Sequence, residues 1–315
     1  MAISPKRIAV FIALLGCALP LTSQGPVHAT VMEVLHGKPY VMVMVNGKGP
    51  FRFIVDTGTG GQAVVTPEFA EQLELEEEGE ARLSDPTGQG GQNAPLVVID
   101  SLRFAGVEFA DVKAVVHNVP HADGLCMGML GFPLFRDYLL TLDYPNLRLT
   151  MERGQLEEDG ERTVMPFRMP DGVPVTTLEV GKLRVEAQID SGGAGLSLPE
   201  QIAARLKYSE TPQLFAKGQS LSTRFEIKVG KLIPDVRLGD YTLDQPWIEI
   251  NAAFPLANFG AVPLQYFTVT FDQRNQLLRL AGPHKHIKLG ITPVPMNLVH
   301  QPSVQAADAK LVPVG

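Results

Sequence analysis

The sequence predicts a mainly β chain made of two homologous β-rich halves, and three observations carry that expectation. Short apolar runs of β type are punctuated by Gly, Pro and Asn, as in "PYVMVMVNGKGPFRFIVD", where "NGKG" marks a hairpin turn between two strands. The stretch "FIVDTGTGG" at 53–61 returns as "AQIDSGGAG" at 187–195, so Asp56 and Asp190 close equivalent apolar strands. Two further blocks then recur in the same order, which is the mark of an internal duplication.

Taken along the chain, residues 1–29 read as a secretory signal: Lys6 and Arg7, the apolar run "IAVFIALLGCALPL", then a polar stretch ending in "VHA", with cleavage expected after Ala29. Gly16 and Pro20 interrupt the run, which is short for a membrane span. "LLGC" offers a second reading as a lipoprotein box with lipid on Cys17. Residues 30–151 form the first half. Its helix signal is "TPEFAEQLEL" (66–75), with Pro at the first turn. A hairpin over 102–116 and the block "LGFPLFRDYLLTLDYPNLRLT" (130–150) follow. The polar "ERGQLEEDGER" lies in the expected linker, 152–163. Residues 164–282 form the second half, where "LPEQIAARLKY" (198–208) predicts a helix, 236–250 matches the earlier hairpin, and 259–280 matches the closing block. Residues 283–315, rich in Pro, Val and Ala without periodicity, are expected to be an irregular tail.

Composition excludes several roles. The 315 residues, 45% hydrophobic, suffice for one large or two medium domains. With 27 Lys+Arg against 34 Asp+Glu there is no basic footprint for nucleic acid. If Ala29 is the cleavage point, Cys126 is the one cysteine left, and it reads as a small buried hydrophobe. His117 and His121 stand four apart, but Pro120 rules out a regular helix there and no acidic residue completes a metal set.

The two Asp-Thr/Ser-Gly stretches carry the chemistry. A lone carboxylate at the end of an apolar strand is costly to bury. Two carboxylates in contact cannot both ionise, so they share one proton and titrate as a unit. One can then act as base on a water while the other polarises a carbonyl as acid. The glycines let backbone N–H groups approach the carboxyls. Three other readings of the glycine-rich stretches compete: simple turns, the phosphate loops of an actin-like or sugar-kinase ATPase, and, for "DSGG" at 190–193, a serine-protease nucleophile segment whose upstream histidine base lacks context.

These motifs, with the later apolar-Gly pairs Leu130-Gly131 and Phe259-Gly260, resemble the two-lobed aspartic endopeptidases of the pepsin and retropepsin group, in a bacterial-type exported form. The resemblance covers roughly 40–282 and implies a bilobal pepsin-like acid protease fold. It implies catalysis by Asp56 and Asp190, with Thr57, Gly58, Thr59, Ser191 and Gly192 as supporting loop residues and with no metal or cofactor. Thr57 and Ser191 are expected to reach across to the opposite lobe. "DPTGQGGQNAP" (85–95) falls where that family carries a flap over the cleft, here without its usual tyrosine. The implied partner is a peptide or protein substrate. The implied state is a periplasmic or secreted monomer, with no nucleic acid and no membrane contact unless Cys17 is lipidated. A catalytically weak peptide-binding relative is the alternative of another class. One asymmetry also follows: Thr59 can donate a hydroxyl to Asp56 while Gly193 offers none to Asp190, so the shared proton is expected on Asp190 and the charge on Asp56.

Overall fold

The computed structural model describes residues 26–289 apart from 86, 89, 120–125, 159–161 and 220–222. Most of the expected signal, including Lys6, Arg7 and Cys17, lies outside the described residues, as does His121.

The chain begins with β1 (His28–Val31), which spans the expected cleavage point. The first half continues through β2 (Glu33–Leu35), β3 (Lys38–Val45), β4 (Lys48–Asp56), β5 (Ala63–Val65), β6 (Glu77–Ser84), β7 (Gly91–Phe104), β8 (Val107–Val116) and β9 (Gly128–Gly131). Then come β10 (Leu139–Asp143) and β11 (Arg148–Glu152), and the second half opens with β12 (Val164–Pro166). The second half holds β13 (Val175–Val180), β14 (Leu183–Ile189), β15 (Leu196–Pro199), β16 (Tyr208–Gln219), β17 (Arg224–Leu232), β18 (Val236–Leu238), β19 (Tyr241–Leu243), β20 (Trp247–Asn251) and β21 (Ala257–Phe259). It closes with β22 (Thr268–Asp272), β23 (Leu277–Ala281) and β24 (His286–Ile287). The helices are short: α1 (Pro67–Leu73), α2 (Glu200–Ala203) and α3 (Ala261–Leu264).

The described residues form three sheets. An eight-stranded sheet from the first half runs β2-β3-β4-β9-β5-β8-β7-β6, and a ten-stranded sheet from the second runs β16-β17-β20-β15-β21-β14-β13-β18-β19-β24. Read outward from the long hairpin, both give hairpin, outer strand, short strand, late inner strand and then the strand that leads to an aspartate. The third sheet, β1-β11-β10-β22-β23-β12, draws strands from both halves and joins them at the antiparallel pair β10 and β22.

Local chemistry explains the elements. Asn46-Gly47 turns β3 into β4 with positive φ at both residues (47° and 74°), the conformation that Asn-Gly favours. Thr66 caps α1 by accepting from the Phe69 N–H at 3.2 Å, Pro67 opens it, and the helix buries Phe69, Ala70 and Leu73. One apolar cluster runs through both halves. Phe132 and Phe271 meet edge to face at 5.1 Å and pack with Phe167, binding the six-stranded sheet to its neighbours.

Two expectations need correction. The helix predicted over 198–208 shrinks to α2, because Leu196, Ser197 and Leu198 are buried in β15 between β20 and β21 and the chain is strand again at Tyr208. Sheet pairing overrides local helix propensity there. The tail expected to be irregular over 283–315 is corrected in its first residues, since β24 adds to β19 in parallel and Ile287 and Leu289 are buried, while 290–315 lie outside the described residues.

Candidate active site

Asp56 ends β4 and Asp190 directly follows β14, each on an inner strand of its sheet. The loops repeat one turn: the N–H of Thr59 donates to the Asp56 carbonyl at 3.2 Å and that of Gly193 to the Asp190 carbonyl at 3.3 Å. The later glycines let each loop lie close against its sheet. A Cβ on Gly131 would come within 2.0 Å of the Gly61 carbonyl oxygen, and one on Gly260 within 2.6 Å of the Gly195 carbonyl oxygen. These contacts account for the apolar-Gly pairs of the sequence.

The loops interlock through four buried hydrogen bonds. The Thr57 N–H donates to Ser191 Oγ and the Ser191 N–H to Thr57 Oγ1, both at 2.9 Å. The Thr57 hydroxyl donates to the Ile189 carbonyl and the Ser191 hydroxyl to the Val55 carbonyl, both at 2.7 Å. Each glycine of the Asp-x-Gly stretches then abuts the opposite carboxyl. A Cβ on Gly58 would fall 2.5 Å from Asp190 Oδ1, and one on Gly192 would fall 2.2 Å from Asp56 Cγ. The structure therefore brings Asp56, Thr57, Gly58, Thr59, Asp190, Ser191 and Gly192 into one buried cluster.

Donors surround both carboxyls. Asp56 accepts from the Gly58 N–H at 2.8 Å and the Thr59 hydroxyl at 3.1 Å. Asp190 accepts from the N–H groups of Gly192 (2.9 Å) and Gly193 (2.8 Å), and also from Asn258 Nδ2 at 3.1 Å. The expected asymmetry is thus overturned. The hydroxyl that Gly193 lacks is replaced by the Asn258 amide, which fills the space a side chain at 193 would need: a Cβ there would lie 2.2 Å from Nδ2. Asp190 thus has the larger set of donors to a charged carboxylate, and burial first and the Asp190 charge second push the Asp56 carboxyl up, against the opposing pull of Lys38, Gly58 and Thr59, so the shared proton favours Asp56.

Sequence reasoning missed Asn258 and Lys38. Asn258 stands just before Phe259-Gly260, where the first half has Met129 before Leu130-Gly131, and that polar-for-apolar exchange was the available signal. Lys38 is buried at the start of β3, and the β3–β4 register, Tyr40 opposite Ile54, carried two residues on sets it opposite Asp56. Within the segment 85–95, Gly91 to Pro95 pair with Ser84 to Glu80 across the β6–β7 hairpin, and the Asp85 carboxylate accepts from the Thr87 N–H and hydroxyl at 2.9 and 2.7 Å. Between Thr87 and the second half's Glu200, Arg224, Lys228 and Asn251 lies a cavity of about 390 Å³. Cys126 is buried, and burial raises its thiol to about 11. His117 Nδ1 lies 3.2 Å from Gln92 Nε2. Among the described residues no cluster of three or more His, Cys, Asp or Glu is arranged to hold a metal ion.

Fold and site together define a mainly β protein whose repeated halves bring two aspartates into one hydrogen-bonded cluster. A family model described as aspartyl protease matches residues 41–134, the part of the first half that contains Asp56 and Gly131. The match supports an aspartyl protease family and protease function in general terms. No curated protein matches the chain.

Proposed function

We propose that the chain is an aspartic endopeptidase of the two-lobed pepsin-like type, in which Asp56 and Asp190 share one proton and hydrolyse peptide bonds through an activated water. The observation that carries this reading is the mutual approach of the loops: each Asp-x-Gly glycine touches the carboxyl of the other. Asp56, holding the proton, polarises the scissile carbonyl, and Asp190 accepts a proton from the attacking water. The interlocked loops fix the pair before substrate arrives, so little reorganisation is needed during reaction. The six-stranded sheet is the floor between the lobes and the β6–β7 hairpin is the flap. The substrate lies extended between them and adds as a strand.

We also propose that the protein acts outside the cytoplasm as a monomer after cleavage at Ala29, which leaves Thr30 and Val31 of β1 paired with Leu149 and Arg148. Mass spectrometry of exported protein should give a start at Thr30; lipid on Cys17 would replace that reading.

The test of the activity is Asp56→Asn and Asp190→Asn, each assayed on an unfolded protein substrate beside a thermal unfolding control. Both variants should stay folded and lose cleavage, and a statine-type inhibitor should stop the parent enzyme. Cleavage retained by either folded variant refutes the mechanism. Selective peptide binding without cleavage by the parent protein identifies the peptide-binding relative instead.

A further inference from the structure

The two repeats place equivalent rows of residues beside the two aspartates and fill them differently. In the first sheet the register runs Val115, Val64, Met129, Ile54, Tyr40 across β8, β5, β9, β4 and β3. In the second it runs Glu249, Ser197, Asn258, Gln188 across β20, β15, β21 and β14. Residues side by side in a sheet share a face. The second row faces the carboxyl pair, because Asn258 reaches Asp190 and a Cβ on Gly58 would lie 2.7 Å from Gln188 Nε2. The first row faces it too, since Ile54 and Asp56 alternate onto one side of β4.

Each row leads to a charged side chain that makes no hydrogen bond or ion pair among the described residues. Lys38 precedes Tyr40 by two residues and so shares its face; it is 8% exposed, and among the described residues its ammonium makes no hydrogen bond or ion pair. The Tyr40 hydroxyl beside it is buried with no hydrogen-bond partner among the described residues. Across the pair, the Glu249 carboxylate lies against Gly195, where a Cβ would come 2.8 Å from Oε1, and it too makes no hydrogen bond or ion pair among the described residues. Lys38 is buried, where a charge without a partner is costly, whereas Glu249 is half-buried. Burial lowers the Lys38 ammonium, which Asp56 and Asp190 pull back up, and burial raises the Glu249 carboxyl to about 7.

We infer that Lys38 with Tyr40, and Glu249, are the charged ends of two subsites on opposite sides of the aspartate pair, so that the substrate is a peptide with an acidic side chain on the Asp56 side of the scissile bond and a basic one on the Asp190 side. An ammonium and a phenol hydroxyl are both donors, and a carboxylate accepts from both; Glu249 accepts only and calls for a Lys or Arg donor. The inference rests on the protease reading of the same site, and it deepens that reading by naming the substrate class.

The experiment uses peptides blocked at both ends, with Glu or Gln on one side of the bond and Lys or norleucine on the other, in both orders. A matched arm with a free C-terminal carboxylate separates a side-chain acid from a chain end. The enzyme should cut the Glu and Lys peptide, in one order, about 10- to 100-fold faster in kcat/KM than the Gln or norleucine analogues. Lys38→Met should abolish the Glu preference and keep the Lys preference, Glu249→Gln the reverse, and Tyr40→Phe should weaken the Glu preference alone. If Lys38→Met does not fold, Tyr40→Phe and Glu249→Gln still decide. Equal cutting of all peptides, loss of both preferences in one variant, or a Lys38→Met effect confined to the pH profile overturns the inference. Calorimetry with Asp190→Asn separates the two readings. Charge-selective binding without any cleavage by the parent protein keeps the subsites and removes the protease, whereas cleavage without charge preference does the opposite.

Discussion

Replacing Asp56 with Asn should flatten the pH dependence of stability between about pH 4 and pH 7. Burial first, and the Asp190 charge second, raise the Asp56 carboxyl from 3.8 to about 7. Between those values the folded protein keeps a proton that the unfolded chain has released, so stability falls as pH rises. The contribution is therefore complete below pH 3.8 and is lost as pH climbs through about 7. A gap of roughly three pKa units at about 1.4 kcal/mol each corresponds to a loss on the order of 4 kcal/mol. That is a large part of the ~5–15 kcal/mol that holds most domains folded. Urea denaturation of parent and Asp56→Asn proteins at integral pH values from 4 to 8 measures it, since most other titrating groups cancel in the difference. The parent should lose about 4 kcal/mol relative to the variant across this range. Curves that stay parallel to within about 1 kcal/mol refute the claim that Asp56 is the buried proton holder.

Three further outcomes follow from the same contacts. Gly193→Ser should cripple activity, because its Cβ would lie 2.2 Å from the Asn258 amide and 2.4 Å from Asp190 Oδ2, and adding Asn258→Ala should not restore it, since the clash with the Asp190 carboxyl remains; kcat/KM of the single and double variants decides. Ser191→Ala removes the acceptor for the Thr57 N–H and the donor to the Val55 carbonyl, and should cost roughly 2–4 kcal/mol in chemical denaturation. A chain ending at Ala281 forfeits β24 and the burial of Ile287 and Leu289, which should cost roughly 3 kcal/mol or more, whereas a chain ending at Leu298 should keep its unfolding midpoint and activity.

What could be read from the sequence was whatever a local contact imposes on consecutive residues. Gly58 and Gly192 show as motif letters because a Cβ at either would strike the opposite carboxyl, and Gly131 and Gly260 because a loop carbonyl occupies the same space. The Asn46-Gly47 turn and the Thr66 cap likewise act within four residues. Asn258 was hidden because it acts on Asp190 across 68 residues of chain, through a strand pairing that no local pattern encodes. Lys38 was hidden for the same reason, its place opposite Asp56 being a matter of hairpin register. The helix expected over 198–208 failed where its apolar residues were claimed by neighbouring strands.

The seam between β10 and β22 has a consequence for the halves taken singly. Thr141 pairs with Thr270, its own counterpart in the second repeat, and their hydroxyls meet at 3.0 Å. The edge that each half presents at the seam is thus complementary to a copy of itself, as in an isologous contact about a twofold axis. A first half expressed alone would expose β10 as an unpaired strand edge, and such edges recruit partners. Two copies of that fragment could meet Thr141 to Thr141 in the register the intact chain already uses, setting one Asp56 loop toward the other. Covalent linkage of the two repeats allows what such a dimer could not: a serine for a threonine, an amide for a hydroxyl, and different residues on the two sides of one pair of carboxyls.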